Sequence, residues 1–183
     1  MIYPEIEKIA VEPNALIKTM EELPEGLVCE FGVAGGKTIN MIAKHVKRTV
    51  YGFDSFQGLP EDWGKQATKG AFALPGGPTV QIEPNVVIIE GMFQDTLVPF
   101  LQQKREPIAF IHMDCDLYSS TKYVLSALAG YFASNAVIAF DEIIGYQDFI
   151  DHEGRAFIEF LKETGYSWQC IGRQHQQGAI FRI

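Results

Sequence analysis

A few acids and one run of glycines carry most of the chemistry this sequence can offer. The glycines lie in Glu30-Phe-Gly-Val-Ala-Gly-Gly-Lys-Thr38. Its ending, Gly36-Lys37-Thr38, has the form of a phosphate-binding loop. A loop of the pattern G-x-x-x-x-G-K-[ST] is one residue longer than this interval allows. Only Val33, Ala34 and Gly35 separate Gly32 from Gly36. The opening, Glu30-Phe31-Gly32, instead has the form of a strand that runs into a glycine turn. Asp54 lies 22 residues after Gly32. An acid about 20 residues beyond such a turn can accept both hydroxyls of a ribose, so Asp54 fits an adenosine cofactor. The glycine spacing does not match GxGxxG, and Glu30 would face a pyrophosphate. A carboxylate at that place suits a cofactor that carries a positive amino-acid group.

Asp114, Asp141 and Glu142 form a second group. Each follows an apolar run that reads as a buried strand, and ligands bind beyond the carboxyl ends of parallel strands. Three carboxylates at neighbouring strand ends repel one another unless protonated or bound to a cation. Oxygen donors alone select a hard ion, Mg²⁺ or Ca²⁺. Asp116 either joins them or caps a helix that starts near Ser119. His112 reads as a hydrogen-bonded core residue and His45 as a helix-surface residue. His152 and His175 lie in or near loops within reach of a cleft. Trp63, Tyr118 and Tyr146 could line a pocket or simply pack.

The elements that must position these residues follow from the apolar spacing. Helices are expected over 14–23, 37–47, 96–103, 119–132 and 154–164. Strands are expected over 27–31, 49–53, 86–89, 108–113 and 136–140, with two more over 166–171 and 178–183. Strand and helix alternate, and the strands are apolar throughout, which is the pattern of an α/β parallel sheet covered on both faces. The last two strands have only a short connection, so the final one should run antiparallel. The expected fold is a Rossmann-like, seven-stranded, mostly parallel sheet in one domain spanning 1–183. The stretch 55–84 breaks the alternation with many glycines and prolines. A connection of that length is often a functional lid.

The chain has 183 residues and 47% apolar residues, enough for one packed core. Its formal net charge of -8 argues against nucleic acid as a partner. No apolar run approaches the roughly 20 residues that span a bilayer, so no membrane partner is expected. The N-terminal stretch MIYPEIEKIAVEP lacks a basic-then-apolar leader, so a cytoplasmic location is expected. Cys29, Cys115 and Cys170 are scattered and odd in number, and read as reduced core residues. Nothing in the sequence sets the oligomeric state, and a homo-oligomer stays open.

Several blocks appear in series: Glu30-Phe-Gly-Val-Ala-Gly-Gly36, Phe53-Asp-Ser-Phe-Gln-Gly-Leu-Pro60, Gly91-Met-Phe-Gln-Asp-Thr-Leu97, Met113-Asp-Cys-Asp-Leu-Tyr-Ser-Ser-Thr121 and Phe140-Asp-Glu142. Together, from about Leu27 onward, they resemble the macrocin-type (TylF-like) class I O-methyltransferases. The resemblance implies S-adenosylmethionine as cofactor, held at Glu30, Gly32, Gly35, Asp54 and Ser55, with the adenine near Phe93 and Gln94. It implies Mg²⁺ held by Asp114, Asp141 and Glu142. It implies methyl transfer to a hydroxyl of a sugar or other small molecule. Methyl transfer to a hydroxyl also needs a carboxylate to take its proton, and Asp114 is the candidate for both ligand and base. The chain departs from the family at Glu142, where an aspartate is common, and at Cys115, where a glycine is common. It also lacks the long N-terminal helical segment of some members. Two other classes remain open at this point: a non-catalytic domain that binds S-adenosylmethionine, and a nucleotide enzyme that uses Gly36-Lys37-Thr38.

Overall fold

The computed structural model describes residues 2–183. Seven strands form one sheet: β1 (Leu27–Phe31), β2 (Val50–Asp54), β3 (Val86–Glu90), β4 (Ile108–Met113), β5 (Phe132–Phe140), β6 (Gln169–Gly172) and β7 (Ala179–Arg182). Their order is β3-β2-β1-β4-β5-β7-β6; β7 pairs antiparallel with both β5 and β6, and every other pairing is parallel. The sequence reversal between β3 and β4 puts β1 and β4 side by side at the centre. Both are buried along their whole length, which is why they read as unbroken apolar runs.

Successive side chains of a strand point to opposite faces. Cys29 and Phe31 therefore join one core with helices α4 (Phe93–Lys104), α5 (Tyr118–Leu128) and α6 (Glu153–Thr164). Val28 joins the other core with α2 (Ala15–Met20) and α3 (Lys37–His45). A short helix, α1 (Tyr3–Glu7), adds Ile6 to the first core; the sequence reading had no element there. Among the described residues, no helix is long and apolar enough to cross a membrane.

Several expected boundaries moved: the strand expected from residue 136 starts at Phe132, the one expected from 166 starts at Gln169, and the helix expected to reach 23 ends at Met20. The helix expected over 119–132 ends at Leu128, because Gly130 turns at φ +85 and the chain re-enters the sheet with Phe132 paired to Ile108. The helix expected from residue 96 starts at Phe93, directly after the Gly91 turn. All three cysteines are buried and unpaired, as expected for core thiols.

Candidate active site

The acids cluster because they lie at the last rung of a strand or within three residues beyond it. Asp114 N–H donates to Phe31 O at 2.9 Å, and Asp141 N–H donates to Met113 O at 3.0 Å, so both residues prolong the ladders of β4 and β5. Gly32 prolongs β1 in the same way, donating to Phe53 O at 3.0 Å. It turns at φ +89, and a Cβ there would collide with the Asp114 carbonyl. The glycine turn and the acid group therefore touch through backbone. A cavity of about 450 Å³ opens at this edge.

Gly32, Asp54, Ser55, Phe93, Gln94, Asp114, Asp141 and Glu142 all line that cavity. Asp54 is wired into the turn. Its Oδ2 accepts Val33 N–H and Ala34 N–H, and its Oδ1 accepts Phe56 N–H, each at 2.8 Å. A carboxylate offers about four acceptor sites, so about one is left for a ligand hydroxyl, where the sequence suggested two. Phe93 stands edge-on to Phe31 with centroids 5.6 Å apart, which fixes one wall.

Glu30 and Gly35 are placed differently. Glu30 is fully buried, directly in register with His112 on β4. The His112 Nδ1 lies 3.0 Å from Glu30 Oε1, close enough for an ion pair but off the hydrogen-bonding direction. Burial alone would pull the His112 imidazole down, yet Glu30 beside it holds it above its ordinary value. Gly35 is roofed by the 55–84 stretch, with Thr79 N–H donating to its carbonyl at 3.1 Å. Pro78, Val80 and Ile82 crowd Gly36 in the same way. Gly36 is thus buried under the 55–84 stretch, while Lys37 stays exposed.

The rest of the 55–84 stretch bends over the cavity. Leu59 and Trp63 pack on Leu117 in a small core of their own. The Ser119 hydroxyl donates to Glu61 Oε1 at 2.6 Å, joining this stretch to α5. Trp63, only 8% exposed, meets the ring of Tyr146 at 5.5 Å.

Asp114, Asp116 and Glu142 offer carboxylate oxygens that all lie within 4.8 Å of one another. Asp116 sits at φ +62, and the first turn of α5 receives no side-chain cap. Asp116 therefore belongs to the acid group and not to the helix end. Asp141 borders the group but turns its Oδ1 toward His175 at 3.2 Å. Burial, with Asp141 and Asp116 adding to it against His112, pushes Asp114 up to about 8. Burial likewise pushes Asp116 up to about 6. Burial and the charges of Asp114 and Asp116 push Glu142 up to about 9. Asp141 moves the other way: burial would raise it, but the His175 hydrogen bond and the charge of His112 hold it below the usual range. Three hard oxygen donors that resist ionising side by side are chemically suited to a divalent cation.

One acid behind this group escaped the sequence reading. Glu153 is fully buried at the start of α6 and accepts Cys115 N–H and Thr121 Oγ–H, each at 3.3 Å. Burial, with the nearby Glu142 adding to it, pushes it well above its ordinary value. An acid in the first turn of an amphipathic helix ordinarily reads as a solvated residue favoured by the helix dipole, and nothing in the local sequence marks this one as buried.

These shifts fix the pH dependence of the metal-free protein. Each raised acid binds its proton more tightly folded than unfolded, so its contribution is complete below the ordinary carboxylate range. It is lost as pH climbs through the folded values, here from about 6 to about 9. Melting temperature in chelator should therefore fall from pH 5 to pH 9, and Mg²⁺ should flatten the slope. A flat profile in chelator would contradict the arrangement of the three acids.

A family model described as a methyltransferase domain matches residues 29–143. Among solved structures, the calicheamicin methyltransferase CalS11 superposes with a TM-score of 0.72 at 24% identity, covering 92% of this chain and 75% of that one. Its apo structure is described as a TDP-rhamnose 3'-O-methyltransferase. The O-methyltransferase NovP gives a TM-score of 0.65 at 20% identity, covering 92% and 79%. TomG from Streptomyces achromogenes, an O-methyltransferase of tomaymycin synthesis in complex with SAM, gives 0.55 at 13% identity, covering 96% and 81%. Among curated proteins, none matches the chain in sequence.

Proposed function

The chain belongs to the methyltransferase-domain family, and we propose that it is an S-adenosylmethionine-dependent O-methyltransferase, assisted by Mg²⁺, that acts on a hydroxyl of a sugar or other small molecule. The observation that carries this reading is the meeting of a glycine turn and three clustered acids on one cavity. The finer placement among macrocin-type enzymes rests on the series of sequence blocks from Glu30 to Glu142. The sugar acceptor is the class suggested by CalS11, a TDP-rhamnose methyltransferase.

The nucleoside fits between the glycine turn and the first turn of α4. Gly32 allows close approach, the free acceptor site of Asp54 takes a ribose hydroxyl, Ser55 flanks it, and Phe93 and Gln94 flank the adenine. Gly35 and Glu30 act from behind, Gly35 by shaping the turn and Glu30 by supporting its strand. S-adenosylmethionine brings a methyl group already activated on a sulfonium, so the protein mainly supplies geometry. The acceptor oxygen must lie about 3 Å from that carbon and in line with the sulfur.

Asp114 and Glu142 would hold the cation, with Asp116 and Asp141 at its flanks. A divalent cation there supplies Lewis acidity that lowers the pKa of an acceptor hydroxyl. Asp114, on the cavity wall beside Glu142, is placed to take the proton. The 55–84 stretch acts as the lid, with Trp63 excluding water from the acceptor side.

Replacing Asp114 with Asn separates binding from chemistry. The variant is expected to bind S-adenosylhomocysteine within about threefold of the wild type and to lose at least about 100-fold in methyl transfer, as loss of a positioned base and its charge implies. The assay is transfer of a labelled methyl group from S-adenosylmethionine to a panel of sugar nucleotides and phenols. Equal loss of binding and transfer would count against this division of roles.

A further inference from the structure

We propose that His175, in the turn between β6 and β7, is a positioning residue that holds Asp141 in the orientation a divalent cation needs. This inference rests on the cation reading above. His175 is the outermost member of a row of alternating base and acid that crosses the sheet. His175 Nε2 lies 3.2 Å from Asp141 Oδ1, His112 Nε2 lies 3.9 Å from the same oxygen, and Glu30 lies 3.0 Å beyond on His112 Nδ1. The row runs from the β7 turn through β5 and β4 to β1, directly behind the cavity.

Four details point to positioning. The ring of His175 is oriented: its Nδ1 accepts Gln177 N–H and Gly178 N–H, each at 3.3 Å, so Nε2 carries the proton that goes to Asp141. The turn that bears the ring is itself docked, since Gln177 O accepts Ile143 N–H at 2.9 Å and Ile144 N–H at 3.2 Å. A Cβ on Gly178 would press on His175 and on the Phe140 and Asp141 carbonyls, so the turn and the end of β5 are in close approach. Gln174 Nε2 adds a second donor to Asp141 Oδ1 at 3.3 Å. The His175, His112 and Gln174 contacts all fall on Oδ1. Asp141 itself lines the cavity, so Oδ2 is the oxygen that remains for a ligand. Carboxylate ligands held this way by an outer residue typically lose about 10–100-fold in metal affinity when that residue is removed. The imidazole is 40% exposed, so its replacement should leave the fold intact.

The test is Mn²⁺ binding read by electron paramagnetic resonance, with S-adenosylhomocysteine present. His175→Ala should weaken Mn²⁺ by about tenfold or more, while binding of S-adenosylhomocysteine in chelator stays at the wild-type value. His175→Gln, whose amide can donate to the same oxygen, should recover part of the loss. On an Asp141→Asn background, His175→Ala should add little, because the two residues act as one unit. Wild-type Mn²⁺ affinity in His175→Ala overturns the assignment, as does an undiminished loss on the Asp141→Asn background. A wild-type protein that binds no Mn²⁺ removes the cation reading itself and this inference with it.

Discussion

Asp54→Ala is expected to abolish cofactor binding. The Asp54 carboxylate gathers three backbone N–H groups from the turns after β1 and β2, each at 2.8 Å. Two of the residues it holds, Ala34 at φ 43 and Phe56 at φ 54, sit in the left-handed region that side-chain-bearing residues seldom adopt. Hydrogen bonds to a charged group contribute about 1.5–3 kcal/mol each. Even one such loss transmitted to the cavity weakens binding by about 10–100-fold, and losing all three frees the turn. The affinity for S-adenosylhomocysteine should fall by at least about 100-fold. Asp54→Asn, which keeps one acceptor oxygen, should fall by less. The readout is calorimetric titration. A change below about threefold in Asp54→Ala would show that the turn holds its shape without the carboxylate, and the account of the cofactor site would be wrong.

The second large effect is on stability. His112→Ala leaves Glu30 fully buried opposite an empty space, with no counter-charge on the adjoining strand. Removing one member of a buried ion pair costs about 3–5 kcal/mol. That is a large part of the roughly 5–15 kcal/mol that holds a domain of this kind together. The paired replacement Glu30→Met with His112→Leu should recover most of the loss, because an apolar pair avoids the desolvation of both charges. Denaturant unfolding of the single and paired variants gives the comparison. A loss under about 1 kcal/mol for His112→Ala would mean that Glu30 is relieved in some other way. The paired variant also separates two roles for Glu30. If it folds and binds S-adenosylhomocysteine normally, Glu30 supports the strand and does not itself hold the cofactor.

How much of this could be read in the sequence depends on whether a residue's neighbours are local. β1 and β4 were legible to the residue, because each is an apolar run closed by a glycine or an acid. The same property marked Gly32, Asp54, Asp114 and Asp141, since a polar residue at the end of a buried strand has few bland explanations. The end of α5 was misplaced because its apolar spacing runs on through Gly130, and only the pairing of Phe132 with Ile108 shows where the sheet resumes. The partner of Asp54 could not be read at all, because the Val33 and Ala34 N–H groups that it accepts lie about twenty residues earlier in the chain. Glu153 is illegible for the same reason, since its type and local context are those of a surface residue. His175 reads only as a loop histidine within reach of a cleft, and the packing of the β6–β7 turn is what brings it to Asp141. The sequence alone allows Asp116 either in the acid group or as a helix cap, and the uncapped start of α5 decides it.

Whether this cavity holds S-adenosylmethionine is decided by calorimetric titration of the wild-type chain with S-adenosylhomocysteine, and separately with ATP, each with Mg²⁺ and with chelator. Saturable binding of S-adenosylhomocysteine is expected, in chelator as well as with Mg²⁺, and none of ATP. Binding of ATP alone would overturn the methyltransferase reading and return the chemistry to Gly36-Lys37-Thr38.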